Sequence, residues 1–277
     1  VHRTSHAGLV PALNRAIARS TAPLLARMDA DDACHPDRLK RQVDRLEADP
    51  GIGLVASRVR FGGDREKATG YAHYVDWTNT LLSADAIRLN RFIESPLAHP
   101  SATYRRETVD RYGGYRDNGW PEDYELWLRW LEAGVRIEKD PEELLVWNDP
   151  PHRLSRKHPR YRVGAFYACK CHYLARWLAG HVPPDRPVML WGAGRITRKR
   201  FEGLGRAGIV LAGYIDINPR KIGTCINGRP VHAPNELPTA SRWFTISAVG
   251  NRAARDPIRE ELKGRGYIEG TDFIMAA

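Results

Sequence analysis

Three aspartates crowd four positions in Leu24-Leu25-Ala26-Arg27-Met28-Asp29-Ala30-Asp31-Asp32. Carboxylates this close repel one another, and an apolar run just before them makes the repulsion costlier unless a counter-charge is supplied. A divalent cation supplies one. Mg²⁺ or Mn²⁺ prefers hard oxygen donors and keeps positions open for substrate phosphates. Asp29 and Asp31, two apart, project to the same side of an extended backbone. The stretch therefore predicts a metal site at the carboxyl end of a parallel strand, where α/β sheets place ligands. Two other uses stay open on these residues alone: acids capping a helix ahead of Pro36, or the Asp-x-Asp nucleophile of a phosphatase. A helix-loop-helix calcium loop is excluded, because it needs an acid or Asn at 33 and Gly at 34, where the chain has Ala33 and Cys34.

A second acidic pair, Glu122-Asp123, follows Pro121 at the start of a helical pattern. Unsatisfied N–H groups and the helix dipole favour ionised carboxylates there, and an ionised carboxylate can take a proton from an incoming hydroxyl. Plain complementation of the dipole is the alternative. Further on, Gly192-Ala193-Gly194 follows an apolar strand pattern, and Asp216 lies twenty-two residues beyond Gly194. Such glycines permit a tight strand-to-helix turn and close approach to a phosphate, and the acid is placed to hold a ribose. Thr197 stands where a third glycine would. Cys169-Lys170-Cys171-His172 offers soft ligands, but it lies within a helix-period run and has no second ligand pair, so no metal is expected there.

The elements that must position these groups are legible as periodicities. A helical stripe over 9–20 stops at Thr21-Ala22-Pro23, a short buried strand leads into the aspartates, and a helix with Leu39, Val43 and Leu46 inward runs from Pro36 to Asp49-Pro50. A strand spans 52–61, a Gly-rich polar loop 62–71, and a helix with Leu126, Trp127, Trp130 and Leu131 on its apolar side ends at Gly134. After an amphipathic helix ending near Gly180 and the breaker His181-Val182-Pro183-Pro184, the pattern restarts as a βαβ rhythm. The expected domains are 1–156, a basic helix and linker at 157–185, and a Rossmann-like domain at 186–277.

The composition is that of a globular protein: 277 residues, 42% hydrophobic and 27% charged, with no apolar run near the ~20 residues of a membrane span. Four scattered cysteines suggest no disulfide framework and a reducing, cytoplasmic setting. The formal charge of +10 is concentrated between Arg153 and Arg186, where eight Lys/Arg face one acid, Asp185. No nucleic-acid module surrounds them, so no nucleic-acid partner is expected. A solvated helix face, or peripheral contact with anionic lipid at the inner face of a membrane, accounts for the charge.

The segments 8–18, 26–55, 99–117, 121–134 and 152–156 occur in an order that resembles the family 2 glycosyltransferases of the GT-A fold, over roughly residues 7–156. The resemblance implies an α/β architecture: a partial GT-A nucleotide-diphospho-sugar transferase domain followed by the small Rossmann-like domain. It implies that Asp29, Asp31 and Asp32 bind the metal and the donor diphosphate, with His152 as a further ligand. Asp123 would be the base, with Glu122 beside it, and Asn14, Arg27, His99 and Arg153 would contact substrate. The activity implied is metal-dependent, inverting transfer from a nucleotide-sugar to a glycan or lipid-linked acceptor in bacterial cell-surface polysaccharide synthesis. The chain begins at Val1 in mid-motif, so the expectation includes a missing N-terminal nucleotide-binding part and little turnover by this polypeptide alone. The second domain, with Gly192, Gly194 and Asp216, resembles a nucleotide-binding unit. It carries the alternative of a nucleotide-binding regulatory or NAD-dependent oxidoreductase protein.

Overall fold

A helix with one apolar stripe, or a strand with one apolar face, must bury that side against another element. The computed structural model, which describes residues 5–151, 153–238 and 242–277, shows how the chain does so. Two compact units form, one from residues 1–88 and 95–165, the other from 89–94 and 166–277.

In the first unit the order is α1 (Leu9–Arg19), β1 (Leu24–Ala26), β2 (Ala33–Cys34), α2 (Arg38–Ala48), β3 (Ile52–Phe61), α3 (Thr69–Thr78), α4 (Ala84–Asn90), β4 (Thr103–Arg105), α5 (Arg106–Tyr112), α6 (Glu122–Glu132) and β5 (Arg136–Trp147). The sheet order is β1-β4-β3-β5-β2. Only β3 and β5 pair in parallel; β1 pairs antiparallel with β4, and β2 antiparallel with β5. The parallel-strand expectation for the aspartates is thus corrected. They follow a three-residue strand whose partner runs the other way, and the sheet's parallel character lies two strands further in. The loop expected over 62–71 is also shorter, because α3 begins at Thr69.

The core sits between this sheet and α6. Trp127 and Trp130 are fully buried and meet edge to face at 5.7 Å, and Trp130 meets Tyr104 of β4 at 5.3 Å. Each indole removes roughly 150–250 Å² from water, the largest single contributions available to a core of this size. This burial fixes α6, and with it the position of Glu122 and Asp123 at its first turn. On the sheet's other side, α2 is held by a polar network. The Gln42 amide donates to the carbonyls of Val55 (3.1 Å) and Ser101 (2.8 Å) and accepts from Thr103 Oγ1 (2.6 Å) and Arg38 Nε (3.2 Å). Arg38, 1% exposed, donates in turn to the carbonyl of Arg27 (2.7 Å). Helix α2 is thereby tied to the backbone two residues before the first aspartate.

After a short helix α7 (Leu154–Lys157) and α8 (Val163–His181), the second unit runs β6 (Val188–Trp191), α9 (Arg195–Arg200), α10 (Glu202–Arg206), β7 (Leu211–Ile215), β8 (Cys225–Ile226), β9 (Arg229–His232), β10 (Phe244–Ser247), α11 (Arg255–Gly264) and β11 (Phe273–Met275). Its sheet order is β11-β10-β6-β7-β9-β8, parallel throughout except for the β8–β9 hairpin. That hairpin turns on Asn227-Gly228, both at positive φ (53° and 73°), the requirement of a two-residue turn matched to strand twist. Helix α8, expected as a linker, belongs to this unit from Phe166 onward. Trp177 packs on Phe92 and Phe244, and Tyr167 on Phe201, so the helix face is core rather than connector.

The Gln42 network yields a test. In Gln42→Leu, the Arg38 guanidinium, the Thr103 hydroxyl and two carbonyls lose buried partners. A loss of roughly 2–4 kcal/mol is expected from the cost of leaving such groups unsatisfied, read as a lower midpoint in urea denaturation.

Candidate functional site

The aspartates are brought together by a turn. Asp29 is half-buried at the end of the β1 extension, Asp31 is exposed at the tip, and Asp32 is half-buried where the chain re-enters as β2. The turn closes with the Asp32 N–H donating to the Asp29 carbonyl at 3.3 Å. One carboxylate oxygen from each residue lies within 4.8 Å of the others, and among the described residues this is the group able to hold a metal. Cys169 and Cys171 are buried free cysteines.

Two features offset the crowding. Arg27, 8% exposed, places Nη1 2.5 Å from Asp29 Oδ1. Asn148, just past β5, donates its backbone N–H to Asp32 Oδ1 at 2.8 Å and its side-chain amide to the Asp31 carbonyl at 2.6 Å. They do not suffice for Asp32. Burial, aided by the charges of Asp29 and Asp31 and opposed by the Asn148 bond, pushes its carboxyl up to about 6. Its Oδ2 is buried with no hydrogen-bond partner. Oxygens on opposite sides of an octahedral Mg²⁺ lie about 4.2 Å apart, close to the span of these three groups. An orphaned buried oxygen beside two more carboxylates fits a hard divalent cation; capping acids would have spent their oxygens on N–H groups.

At the first turn of α6, Glu122 and Asp123 have different surroundings. Glu122 is 2% exposed and accepts the Tyr161 hydroxyl on both oxygens, at 2.8 and 2.7 Å, with Arg160 Nη1 at 3.5 Å. Arg160 also pairs with Asp117. Burial, then the charges of Glu122 and Asp123, push the Tyr161 hydroxyl upward, which keeps it a donor. Glu122 is therefore committed to its neighbours. Asp123 is half-buried, accepts its own helix's Tyr124 N–H at 2.7 Å, and is raised to about 7 by burial first and by Glu122 second. The charge of Arg27 acts on Asp123 as well, lowering it. One buried guanidinium thus acts on both the acid-rich turn and the helix-start acid.

The remaining candidates divide. Arg153 stacks its guanidinium 4.1 Å from the Trp147 ring, 3.6 Å from Asp149, and within electrostatic reach of Asp32. Asn14 clasps the turn after Gly113-Gly114: its amide donates to the Tyr115 carbonyl at 2.8 Å and accepts the Tyr115 N–H at 3.0 Å. His99 is buried, bonded through Nε2 to the Tyr115 hydroxyl at 2.7 Å and set edge-on to Trp127; burial holds it well below its ordinary value, hence neutral. It supports the floor of the site. His152 lies outside the described residues. Sequence reasoning missed Arg38, Asn148, Arg160 and Tyr161. For Tyr161 and Arg160 no local pattern points across the roughly forty residues to Glu122.

In the second unit, Gly192 has φ 123°, and a Cβ there would come within 3.1 Å of Thr197 and 3.6 Å of the Ala248 backbone. Gly194 has an ordinary φ of −66°. Asp216, expected to hold a ribose, has partners within its own unit. Its Oδ2 accepts the Ala193 N–H and the Lys221 ammonium, both at 2.9 Å, and Oδ1 the Asn218 N–H at 2.9 Å. Burial alone would raise its carboxyl, but Lys221 and the two N–H groups outweigh that and hold it below its ordinary value.

Comparison with known proteins finds relatives for the first part of the chain. The model of "Glycosyl transferase family 2" matches residues 1–113. Over this segment the chain is similar to glycosyl transferase family 2. The chain is 30% identical over 142 residues to the amylovoran biosynthesis glycosyltransferase AmsE of Erwinia amylovora, covering 50% of this chain and 49% of that protein. It is 26% identical over 161 residues to the UDP-Gal:alpha-D-GlcNAc-diphosphoundecaprenol beta-1,3-galactosyltransferase of Escherichia coli, covering 58% and 54%. The chain thus spans about half the length of these relatives. A solved structure, the mannosyltransferase PcManGT from Pyrobaculum calidifontis in complex with GDP-Man and Mn²⁺, is 19% identical and covers 76% of this chain and 52% of its own, at a TM-score of 0.42. The first unit's mixed sheet flanked by helices is an α/β architecture, in line with the class expected from the sequence. Among the described residues no helix is long and apolar enough to cross a membrane.

The acid-rich turn predicts how a metal should bind. Asp32 sits at about 6 when folded, above its ordinary 3.8, so the folded state favours its protonated form and its ionisation costs stability as pH rises between those values. A cation needs the carboxylate and displaces that proton. Mn²⁺ affinity, followed by electron paramagnetic resonance, is expected to rise with pH up to about 6 and then level off. Asp32→Asn should weaken binding and flatten the rise; an unchanged profile would exclude Asp32 as a ligand.

Proposed function

We propose that this chain transfers a sugar from a nucleotide-sugar donor to a glycan or lipid-linked acceptor in the building of a cell-surface polysaccharide. The observation that carries this reading is the gathering of Asp29, Asp31 and Asp32 in one turn, with a buried unpaired oxygen on Asp32 and Arg27 linking the turn to Asp123. The relatives supply the biology: one is named for amylovoran biosynthesis and another for transfer from UDP-Gal onto a diphosphoundecaprenol-linked sugar. A lipid-linked saccharide is accordingly the acceptor class we favour here.

Asp29, Asp31 and Asp32 would hold Mg²⁺ or Mn²⁺, which when bound supplies positive charge against the donor diphosphate. Arg153, stacked on Trp147 beside the turn, adds a fixed cation for the same phosphates. Asp123 takes the proton of the acceptor hydroxyl. The hydroxyl oxygen forms a bond to the anomeric carbon as the bond from that carbon to the diphosphate breaks, and the electron pair leaves with the nucleoside diphosphate. Attack opposite the leaving group inverts the anomeric centre. An acid at about 7 is well matched to this task, since a base works best with a value near the ambient pH. Glu122, held by Tyr161 and Arg160, lies beside Asp123, and its charge raises the Asp123 carboxyl.

Asp123→Asn separates chemistry from metal binding. Release of nucleoside diphosphate in the presence of a lipid-linked acceptor is expected to fall by about 10²–10⁴-fold, with Mn²⁺ binding retained. The unsubstituted protein should gain rate as pH rises through about 7, where Asp123 ionises. Full transfer by Asp123→Asn would remove the base assignment. Metal-independent transfer would remove the role of the acid-rich turn.

A further inference from the structure

The second unit holds a charged cluster that the transfer reaction does not use. Its sheet places β6 first in the chain, β7 to one side and β10 to the other, so the strand order reverses between β6 and β10. Open parallel sheets bind ligands outside the carboxyl ends of the strands at such a reversal. The turn after β6 and the turn after β10 converge there: the Cβ that Gly192 lacks would lie 3.6 Å from the Ala248 backbone.

Cations collect beside this crevice from three segments. Arg200, at the end of the helix following β6, reaches the loop after β10, its Nη1 3.3 Å from where a Gly250 side chain would begin. Arg252 and Arg255 follow that loop, and Arg255 Nε donates to the Ala277 carbonyl beyond β11 at 2.9 Å. Lys170, 3% exposed, donates to the carbonyls of Ala276 (2.7 Å) and Ile93 (2.8 Å). The Tyr167 ring joins them, 4.3 Å from Lys170 Nζ and 5.1 Å from the Arg200 guanidinium. Glu94, its Oε2 3.8 Å from Arg252 Nη2, is the carboxylate whose charge acts on both Lys170 and Arg255. The crowding has a visible consequence. Burial first, with Arg255 and Arg200 adding and Glu94 opposing, brings Lys170 down to about 7.

We infer that the crevice at the carboxyl ends of β6, β10 and β11 binds a phosphate group, free or carried on a nucleotide, through Arg200, Arg252 and Arg255, with Lys170 beneath them. An anion there relieves the mutual repulsion of the cations, and the two arginines that follow β10 supply the forked donors that phosphate oxygens accept. This site differs from the dinucleotide fingerprint read from the sequence. The Ala193 N–H, which would face a pyrophosphate in that mode, is taken by Asp216, and the Thr197 methyl fills the space beside Gly192. The recognition groups lie on the β10–β11 side of the reversal, away from Asp216.

Calorimetric titration of the whole chain with inorganic phosphate, pyrophosphate, UDP and NAD, in EDTA to keep the acid-rich turn free of metal, tests the site. Saturable binding of at least one probe is expected, weakened about tenfold or more in Arg200→Gln/Arg252→Gln, as loss of charge-assisted hydrogen bonds predicts, and unchanged in Asp31→Asn. Both arginines are solvent-accessible, and circular dichroism verifies that the double variant is folded. Equal affinity for pyrophosphate and UDP assigns the site to the phosphates alone, whereas tighter UDP or NAD binding adds the nucleoside; both support the inference. Absence of saturable binding to all four probes, binding indifferent to the arginine pair, or binding lost in Asp31→Asn overturns it. Because no metal and no transfer are involved, failure here leaves the proposed sugar transfer untouched.

Discussion

Three carboxylates whose oxygens lie within 4.8 Å of one another form the arrangement on which the first unit depends. Such a group is repulsive, and the fold holds it in place from three directions. Arg27 brings a buried positive charge to Asp29, Asn148 brings two hydrogen bonds from the end of β5, and Arg38 grips the Arg27 carbonyl from α2. Each comes from a different element. The turn is therefore an outcome of packing α2 and β5 on either side of it, not of its own local preferences.

What these supports leave unbalanced is as informative as what they balance. Asp32 keeps an unpaired buried oxygen and a raised carboxyl, and Asp123 is raised to about 7. Perturbed carboxylates of this kind concentrate where function needs them, because a fold selected for stability alone would pair or expose them. Glu122 shows the contrast. It is more deeply buried than Asp123, yet Tyr161 and Arg160 satisfy it fully. Two adjacent acids at one helix start thus have different surroundings, set by which of them faces a hydroxyl and a guanidinium.

Much of this was legible in the order of residues. The Asp29–Asp32 cluster, Glu122-Asp123 and the tryptophan stripe of α6 announced themselves by type and spacing, and the βαβ rhythm after residue 186 announced the second sheet. The partners of individual polar atoms were not legible. Asn14 and Asp216 are the right residue types for ligand contact, but each spends its polar atoms on a backbone turn, Tyr115 in one case and Ala193 and Asn218 in the other. The basic run from Arg153 to Arg186 read as a solvated face. In the structure Arg160 and Lys170 are buried, Arg156 pairs with Asp149 and Arg186 with Asp272, so much of that charge is spent inside the two units.

Sequence alone determined the local features: helix and strand periods, the breakers between them, and the acids' positions along the chain, because these depend on neighbours a few residues apart. Tertiary structure decided which acid is free and which is satisfied. It set β1 antiparallel to β4, brought Tyr161 to Glu122 and Asn148 to Asp32, and collected Lys170, Arg200 and Arg252 from distant segments around one crevice. The reason is physical: a carboxylate's proton affinity and a cation's spare capacity depend on burial and on charges within a few ångströms, and those neighbours come from distant parts of the chain, as far as 116 residues away for Asn148 and Asp32.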